Sequence, residues 1–153
     1  MTWSLQLRNG DLSLGGASYG TVTGEDKLAQ DLRCFILEQM GTDDMHLDYG
    51  STLNGGRMPD GTLVPGVIGH ATNDEFAELE VESELRRIIG QYQARQLQRA
   101  KDDRLVYGKT TLHRGEVVLG VRSIAIQRTV DTMNVTITIE TAADSLVTLG
   151  LEV

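Results

Sequence analysis

The last twenty residues impose the hardest constraint on this chain. In NVTITIETAADSLVTLGLEV, residues 134–153, Val135, Ile137 and Ile139 alternate with polar neighbours. After a turn around Ala142 to Asp144 the same period resumes with Val147, Leu149, Leu151 and Val153. A period of two puts the aliphatic side chains of a strand on one face, so this sheet has one wet face and one that must be covered. The cover has to come from upstream, where the period changes to three and four. Leu28, Leu32, Phe35, Ile36 and Met40 share one face of a helix expected to run from Thr23, with Thr23 and Asp26 as an N-cap pair, to a stop at Gly41. A longer helix is expected from about Thr72, whose spacing to Glu75 is that of a capping box, carrying Phe76, Leu79, Leu85, Ile88, Ile89 and Tyr92 inward. The fold class that satisfies both periods is α+β: a small, mostly antiparallel sheet packed with two main helices, ending in an edge strand.

The remaining segments fill in this frame. Trp3, Leu5 and Leu7 alternate in a short half-buried strand closed by a turn at Asn9-Gly10, and Leu12 and Leu14 offer a second. Further strands are expected at Leu105 to Tyr107 and at Val117, Leu119 and Val121, with a phase shift at Arg122-Ser123 before Ile124 and Ile126, the signature of a bulge. Of the 17 glycines, 12 fall within residues 10–24 and 41–69, which marks two loop regions rather than a repeat. With 153 residues the chain suits one domain, 1–153, with a long glycine-rich loop at about 41–71 and an excursion from Asn54 to His70. A loop of that length usually has a task.

Composition excludes several classes. Fourteen basic against 22 acidic residues give a net charge of −8. Nucleic acid is therefore a disfavoured partner, because binders need a positive surface to release counterions from phosphate. No run approaches the about 18 apolar residues of a membrane helix, and MTWSLQLRNG lacks the blocks of a secretory signal, so no membrane association is expected. The lone Cys34, within RCFILEQM, cannot close an internal disulfide and is expected as a small buried thiol. On the second helix acids precede bases, from Asp74 to Glu84 and then Arg86 to Lys101. That order complements the helix dipole and reads as a solvated face.

Motifs for chemistry are weak. GASYG, residues 16–20, has the letters of a nucleophile elbow around Ser18, but the helix that should follow at once begins several residues late. These glycines lack the Lys-Ser/Thr ending of a phosphate loop. His46, His70 and His113 lack the short spacing of zinc ligands, so neither a metal nor any other cofactor is expected. Twenty-two acids leave a glycosidase pair open in principle, yet no Asp or Glu stands in an apolar run that would raise its pKa. The expectation is a protein that is not an enzyme.

GEDKLAQDLRCFILEQMGTDDMHLDYGSTL, residues 24–53, resembles the signature of the baseplate wedge and tail-sheath initiator family of contractile phage tails and related injection systems: a helix ending in a glycine turn, an acidic loop, then Tyr49-Gly50-Ser51. NGDLSL, residues 9–14, resembles that family's opening, and the order of the later elements agrees over most of the chain. Family members usually carry Glu-Pro-Arg and an aliphatic residue after the second helix; the corresponding place here reads Asp102-Asp103-Arg104-Leu105. The stretch from Asn54 to His70 is similar to an insertion relative to shorter members.

The resemblance implies a structural protein of the virion tail baseplate, present in the host cytoplasm during assembly, in multiple copies within a symmetric structure. Its implied partners are other wedge proteins, gripped through helical parts near residues 73–104 with Asp102, Asp103, Arg104 and Leu105, and the tail-sheath protein, with the tube or hub as further neighbours. The strand at Leu146, Val147, Leu149, Leu151 and Val153 would template the first sheath ring by β-augmentation. Removal of 146–153 is expected to leave the domain folded. Two other readings remain: a cytosolic adaptor that binds a protein through the same strand and helix, and a peptidoglycan hydrolase, since some members of this family are labelled lysozyme-like.

Overall fold

A computed structural model of the chain describes residues 2–8, 11–12, 14–15, 18–67, 74–129 and 132–152. It is α+β. The chain opens with six two-residue strands, β1 (Ser4–Leu5), β2 (Leu7–Arg8), β3 (Asp11–Leu12), β4 (Leu14–Gly15), β5 (Ser18–Tyr19) and β6 (Thr21–Val22), paired antiparallel as β1 with β6, β2 with β3 and β4 with β5. This ribbon is less buried than the alternation implied: Trp3 is 63% exposed. The expected turn at Asn9-Gly10 lies outside the described residues.

Helix α1 (Gly24–Leu37) follows. Thr23 is its N-cap residue in extended conformation, but its side chain caps nothing. The buried Glu116 does so instead, accepting the Gly24 N–H at 3.3 Å and the Thr2 hydroxyl. A carboxylate at a helix N-terminus answers both the orphan amide and the dipole. The helix stops three residues before Met40, which is buried from strand β7 (Gln39–Met40) rather than from the helix. The reason is the Ser51 N–H, which takes the Glu38 carbonyl at 2.7 Å and draws the chain into pairing.

The expected loop holds two strands, β8 (Ser51–Arg57), parallel to β7, and β9 (Leu63–Val64), antiparallel to β8. Period two is present in β8, but its inward positions are Ser51, Leu53 and Gly55, so a serine and a glycine stand where an aliphatic would have announced the strand. Between β8 and β9 the chain folds back through a turn in which the Gly61 N–H reaches the Met58 carbonyl at 2.8 Å and Asp60 accepts from the Thr62 N–H at 2.9 Å.

Helix α2 (Asp74–Tyr107) runs for 34 residues, so Leu105 to Tyr107, expected as a strand, form its last turn. Gly108, at φ +70°, closes it with an N–H to the Arg104 carbonyl at 3.0 Å, the left-handed C-terminal cap that overrides the β preference of Leu-Val-Tyr. Thr72 lies outside the described residues. Ala77, Val81, Leu85, Ile88 and Ile89 are buried, whereas Phe76 and Leu79 are 60% and 62% exposed. The inward face thus begins one residue later than expected, with Phe76 rotated about 100° away from it.

A 3₁₀ turn, residues 114–116, leads to a three-stranded antiparallel sheet, β10 (Val118–Arg128), β11 (Met133–Thr141) and β12 (Leu146–Glu152), with β11 central. The expected bulge is present between Val121 and Ser123, and a second separates Val118 from Gly120. That second bulge inverts the start of the strand, so Val118 is buried and Leu119 is 55% exposed. On β11 and β12 the alternation holds in full. Val135, Ile137, Ile139, Val147, Leu149 and Leu151 form one core with Leu28, Leu32 and Phe35 of α1 and Val81, Leu85 and Ile88 of α2.

Candidate functional site

The C-terminal strand divides by parity. The Thr141 N–H bonds the Ser145 carbonyl at 3.0 Å, closing the turn between β11 and β12, and the register then runs unbroken through Ile139↔Val147 and Ile137↔Leu149. Residues 147, 149 and 151 therefore direct their main-chain groups at β11 and their side chains into the core, where they are 6%, 2% and 6% exposed. Leu146, Thr148, Gly150 and Glu152 turn their N–H and C=O groups outward, and among the described residues no strand pairs with that edge. The residues expected at the site therefore differ in what they present. Val147, Leu149 and Leu151 complete the chain's own core and have no side chain to offer; Leu146, 59% exposed, does. Val153 lies outside the described residues. Excision of 146–153 would remove three core side chains, so a domain that stays folded without them is no longer expected.

Beside the open edge lies a groove of about 970 Å³, walled by α1 through Ala29, Arg33, Cys34 and Leu37 and by Thr148 to Glu152 of β12. Arg33 Nη2 crosses it to the Gly150 carbonyl at 2.9 Å. Strand β10 forms the opposite edge of the sheet, and there α2 intervenes: Gln93 Nε2 donates to the Val118 and Leu119 carbonyls at 3.3 and 2.9 Å, and Gln96 Oε1 accepts the Val118 N–H at 3.0 Å. These bonds cover only the start of β10; among the described residues the rest of that edge, like the β12 edge, is paired with no strand.

The four residues at the end of α2 have different surroundings. Asp102 accepts from Gln98 Nε2 at 2.9 Å, one helical turn back. Asp103, 8% exposed, accepts the Thr111 hydroxyl and N–H at 2.6 and 2.7 Å, bonds that hold its carboxyl below the ordinary value. Its role is to tie the following segment to the helix. Arg104 is exposed, and Leu105 is 85% exposed. With Val106 and Tyr107, at 70% and 65%, Leu105 gives the helix an apolar tip that a strand assignment hides.

Tyr49-Gly50-Ser51 forms a structural knot. Tyr49 stacks on Phe35 with ring centroids 4.5 Å apart, and the Arg95 guanidinium lies over both rings at 5.3 and 5.4 Å, paired with Asp48 at 2.9 Å. Gly50 holds φ +97°, and a methyl group there would stand 2.7 Å from the Glu38 carbonyl oxygen. Glu84, nearly buried, accepts the Thr52 N–H at 2.7 Å and both Nε and Nη2 of Arg87 at 2.6 Å, while Arg87 also reaches the Gly50 carbonyl. Burial works to raise the Glu84 pKa, but the hydrogen bonds from Arg87 and Thr52 outweigh it and the carboxyl titrates below its ordinary range. Glu84 and Arg95 belong to the charges expected on a solvated face; here they brace the core.

A second cavity, about 290 Å³, lies between α1 and α2 and is lined by Lys27, Asp31, Tyr92 and Glu116 among others. Glu116 is the buried acid that sequence reasoning missed, although it stands directly before Val117-Val118-Leu119. Both carboxylates are engaged: Asp31 by the Lys27 ammonium and, at 3.4 Å, by the Tyr92 hydroxyl, Glu116 by Thr2 and the start of α1. Burial and the Asp31 charge push the Tyr92 phenol upward. Cys34 lies on the exposed side of α1, not in the core, and its thiol is raised by partial burial and by Asp31. Ser18 sits in strand β5, with α1 starting only at Gly24. His46 bonds Asp43 at 2.9 Å and His113 accepts from the Gly115 N–H; His70 lies outside the described residues. Among the described residues no three His, Cys, Asp or Glu side chains are grouped to hold a metal, and no helix is long and apolar enough to cross a membrane.

Comparison of the chain with protein-family models, with curated proteins and with solved structures returned no match.

Proposed function

We propose that the protein is a structural component of a contractile-tail baseplate wedge, whose C-terminal sheet edge nucleates the tail sheath and whose α2 tip engages neighbouring wedge proteins. The observation that carries this reading is the outward row of main-chain groups on Leu146, Thr148, Gly150 and Glu152, which no strand of the described chain satisfies. An incoming strand gains affinity from those groups and register from the pleat, which is β-augmentation. The apolar tip formed by Leu105, Val106 and Tyr107 supports the second contact, because a helix end that exposes three apolar side chains in water suits burial against a partner. The resemblance in residues 24–53 supplies the identity of the assembly; the geometry supplies only the kind of contact.

Thr148→Pro tests the reading. The Thr148 N–H points away from β11, so proline there removes no ladder bond, whereas it deprives an incoming strand of a donor. Baseplates assembled with this variant are expected to form but to carry no sheath, and full-length sheaths on them would contradict the proposal. Leu149→Pro serves as the contrast, because it breaks the ladder to β11 and the core together and is expected to unfold the protein. Recovery of the chain only as a free cytosolic protein, never within particles, would favour an adaptor instead.

A further inference from the structure

We propose that Arg33 is a displaceable plug on the β12 edge, and that the slot it closes accepts an extended segment of another chain, aliphatic on the side facing α1 and basic at its ends. The inference rests on the reading above for the choice of edge, and it adds the regulation of that edge and the chemistry of its occupant.

Gly150 is the position that a partner would need, since its carbonyl points outward at the middle of the slot. In the free chain that acceptor is occupied by Arg33 Nη2 at 2.9 Å, and among the described residues this is the one hydrogen bond the guanidinium makes. A side chain with five donors held by a single exposed bond rotates away at little cost. An unpaired edge strand invites indiscriminate pairing, and a charged group laid across it is a recognised means of protection. The glycine is a second, independent sign. Among the described residues, no atom beyond its two chain neighbours lies within 4 Å of where its Cβ would be, so no packing contact there demands glycine. Glycine within a strand weakens it, and one use of a strand glycine is to let another backbone come close.

The walls specify the occupant. Ala29, Cys34 and Leu37 on α1, with Leu7 and Val22 of the ribbon, present short or apolar surface to any side chain that an added strand turns toward the helix. The charged groups on the rim are Asp26, Glu38 and Glu152 against Arg33, so displacement of the arginine leaves three carboxylates around the slot. Lysine or arginine at the ends of the entering segment complements them. Residues 148–152 give a slot roughly 17 Å long at about 3.4 Å per residue, which fits a strand of five or six residues.

The test uses the full chain and a fluorescein-labelled probe of alternating valine and threonine with a lysine at each end. By fluorescence anisotropy the probe is expected to bind the wild type. Arg33→Ala, whose fold is checked by circular dichroism, is expected to bind it tighter by on the order of three- to tenfold, the worth of one exposed hydrogen bond released. Adding Thr148→Pro to Arg33→Ala is expected to abolish binding, and exchanging the probe's lysines for glutamates is expected to weaken it. Equal affinity of wild type and Arg33→Ala, binding that survives Thr148→Pro, or no binding to either protein would overturn the proposal. Dimerisation of Arg33→Ala that Thr148→Pro reverses would assign the slot to a second copy of this chain and overturn it likewise. Sheath growth is not part of the readout, so a failure of the baseplate reading leaves this result standing, and a failure here is visible whatever the baseplates do.

Discussion

Glu84→Gln separates the knot around Tyr49-Gly50-Ser51 from mere surface charge. The wild-type carboxylate receives three bonds of 2.6–2.7 Å, two from Arg87 and one from the Thr52 amide, and glutamine keeps an oxygen for the amide while losing the charge that holds Arg87. Breaking a buried ion pair costs about 3–5 kcal/mol. The Arg87 side chain is 33% exposed, so solvent screens part of that, and about 2 kcal/mol is the expected loss. For a chain of this size that lowers Tm by about 4–8 °C. The pH dependence carries its own sign. Because the folded pKa of Glu84 lies below its ordinary value of 4.5, the native state holds fewer protons than the unfolded chain in acid. The stabilisation is fully present above about pH 4.5 and is lost as pH falls through the lowered folded value. Urea unfolding monitored at pH 7 and at steps below pH 5 should show wild type and Glu84→Gln converging in acid. A variant as stable as the wild type at neutral pH, or a gap that persists unchanged at the lowest pH, would refute the assignment.

Gly50→Ala and Gly90→Ala should move stability in opposite directions in the same denaturation assay. The first forces a methyl group against the Glu38 carbonyl at a left-handed φ and is expected to cost about 2–3 kcal/mol. The second fills open space on the exposed face of α2 and should gain about 0.5–1 kcal/mol. Asp103→Ala should accelerate hydrogen exchange of the Thr111 amide. In the wild type the same loosening should develop in acid, since the lowered pKa of Asp103 makes its contribution present above the ordinary carboxylate value of 3.8 and lost as pH drops through the folded one. Arg104→Ala and Leu105→Ser, at exposed positions, should each change stability by less than about 0.5 kcal/mol while weakening capture of wedge proteins in a pull-down.

The fold was legible where burial was one-sided and uninterrupted. Strands β11 and β12 read directly because each has one wet face and no bulge, and α1 read because four inward residues, Leu28, Leu32, Phe35 and Ile36, keep their spacing. Legibility failed where a small residue took an inward place, as Gly55 does in β8 and Ala77 at the head of α2, since periodicity counts aliphatics and not positions. It failed again where a second bulge reversed Val118 and Leu119, and where Gly108 let a helix run through Leu-Val-Tyr. For the site, the alternation at the C-terminus located an edge strand, and three of the residues it singled out, Val147, Leu149 and Leu151, turn their side chains into the core. Aliphatic spacing marks the face that the chain buries for itself, whereas the groups that no strand of the described chain pairs belong to the other parity and are main-chain atoms common to every residue type. Glu84 and Glu116 were not recognised as buried because the partners that make their burial tolerable, Thr52 and Thr2, come from distant parts of the sequence.

The tight turn at Pro59-Asp60-Gly61 has a practical use. It closes on its own hydrogen bonds, and among the described residues nothing beyond Gly61's two chain neighbours lies within 4 Å of where a Cβ would stand, so the core does not depend on what is spliced there. An epitope or a small fluorescent protein inserted after Gly61 would label the protein while leaving the β12 edge and the α2 tip untouched, so that the label can follow whatever those two surfaces bind.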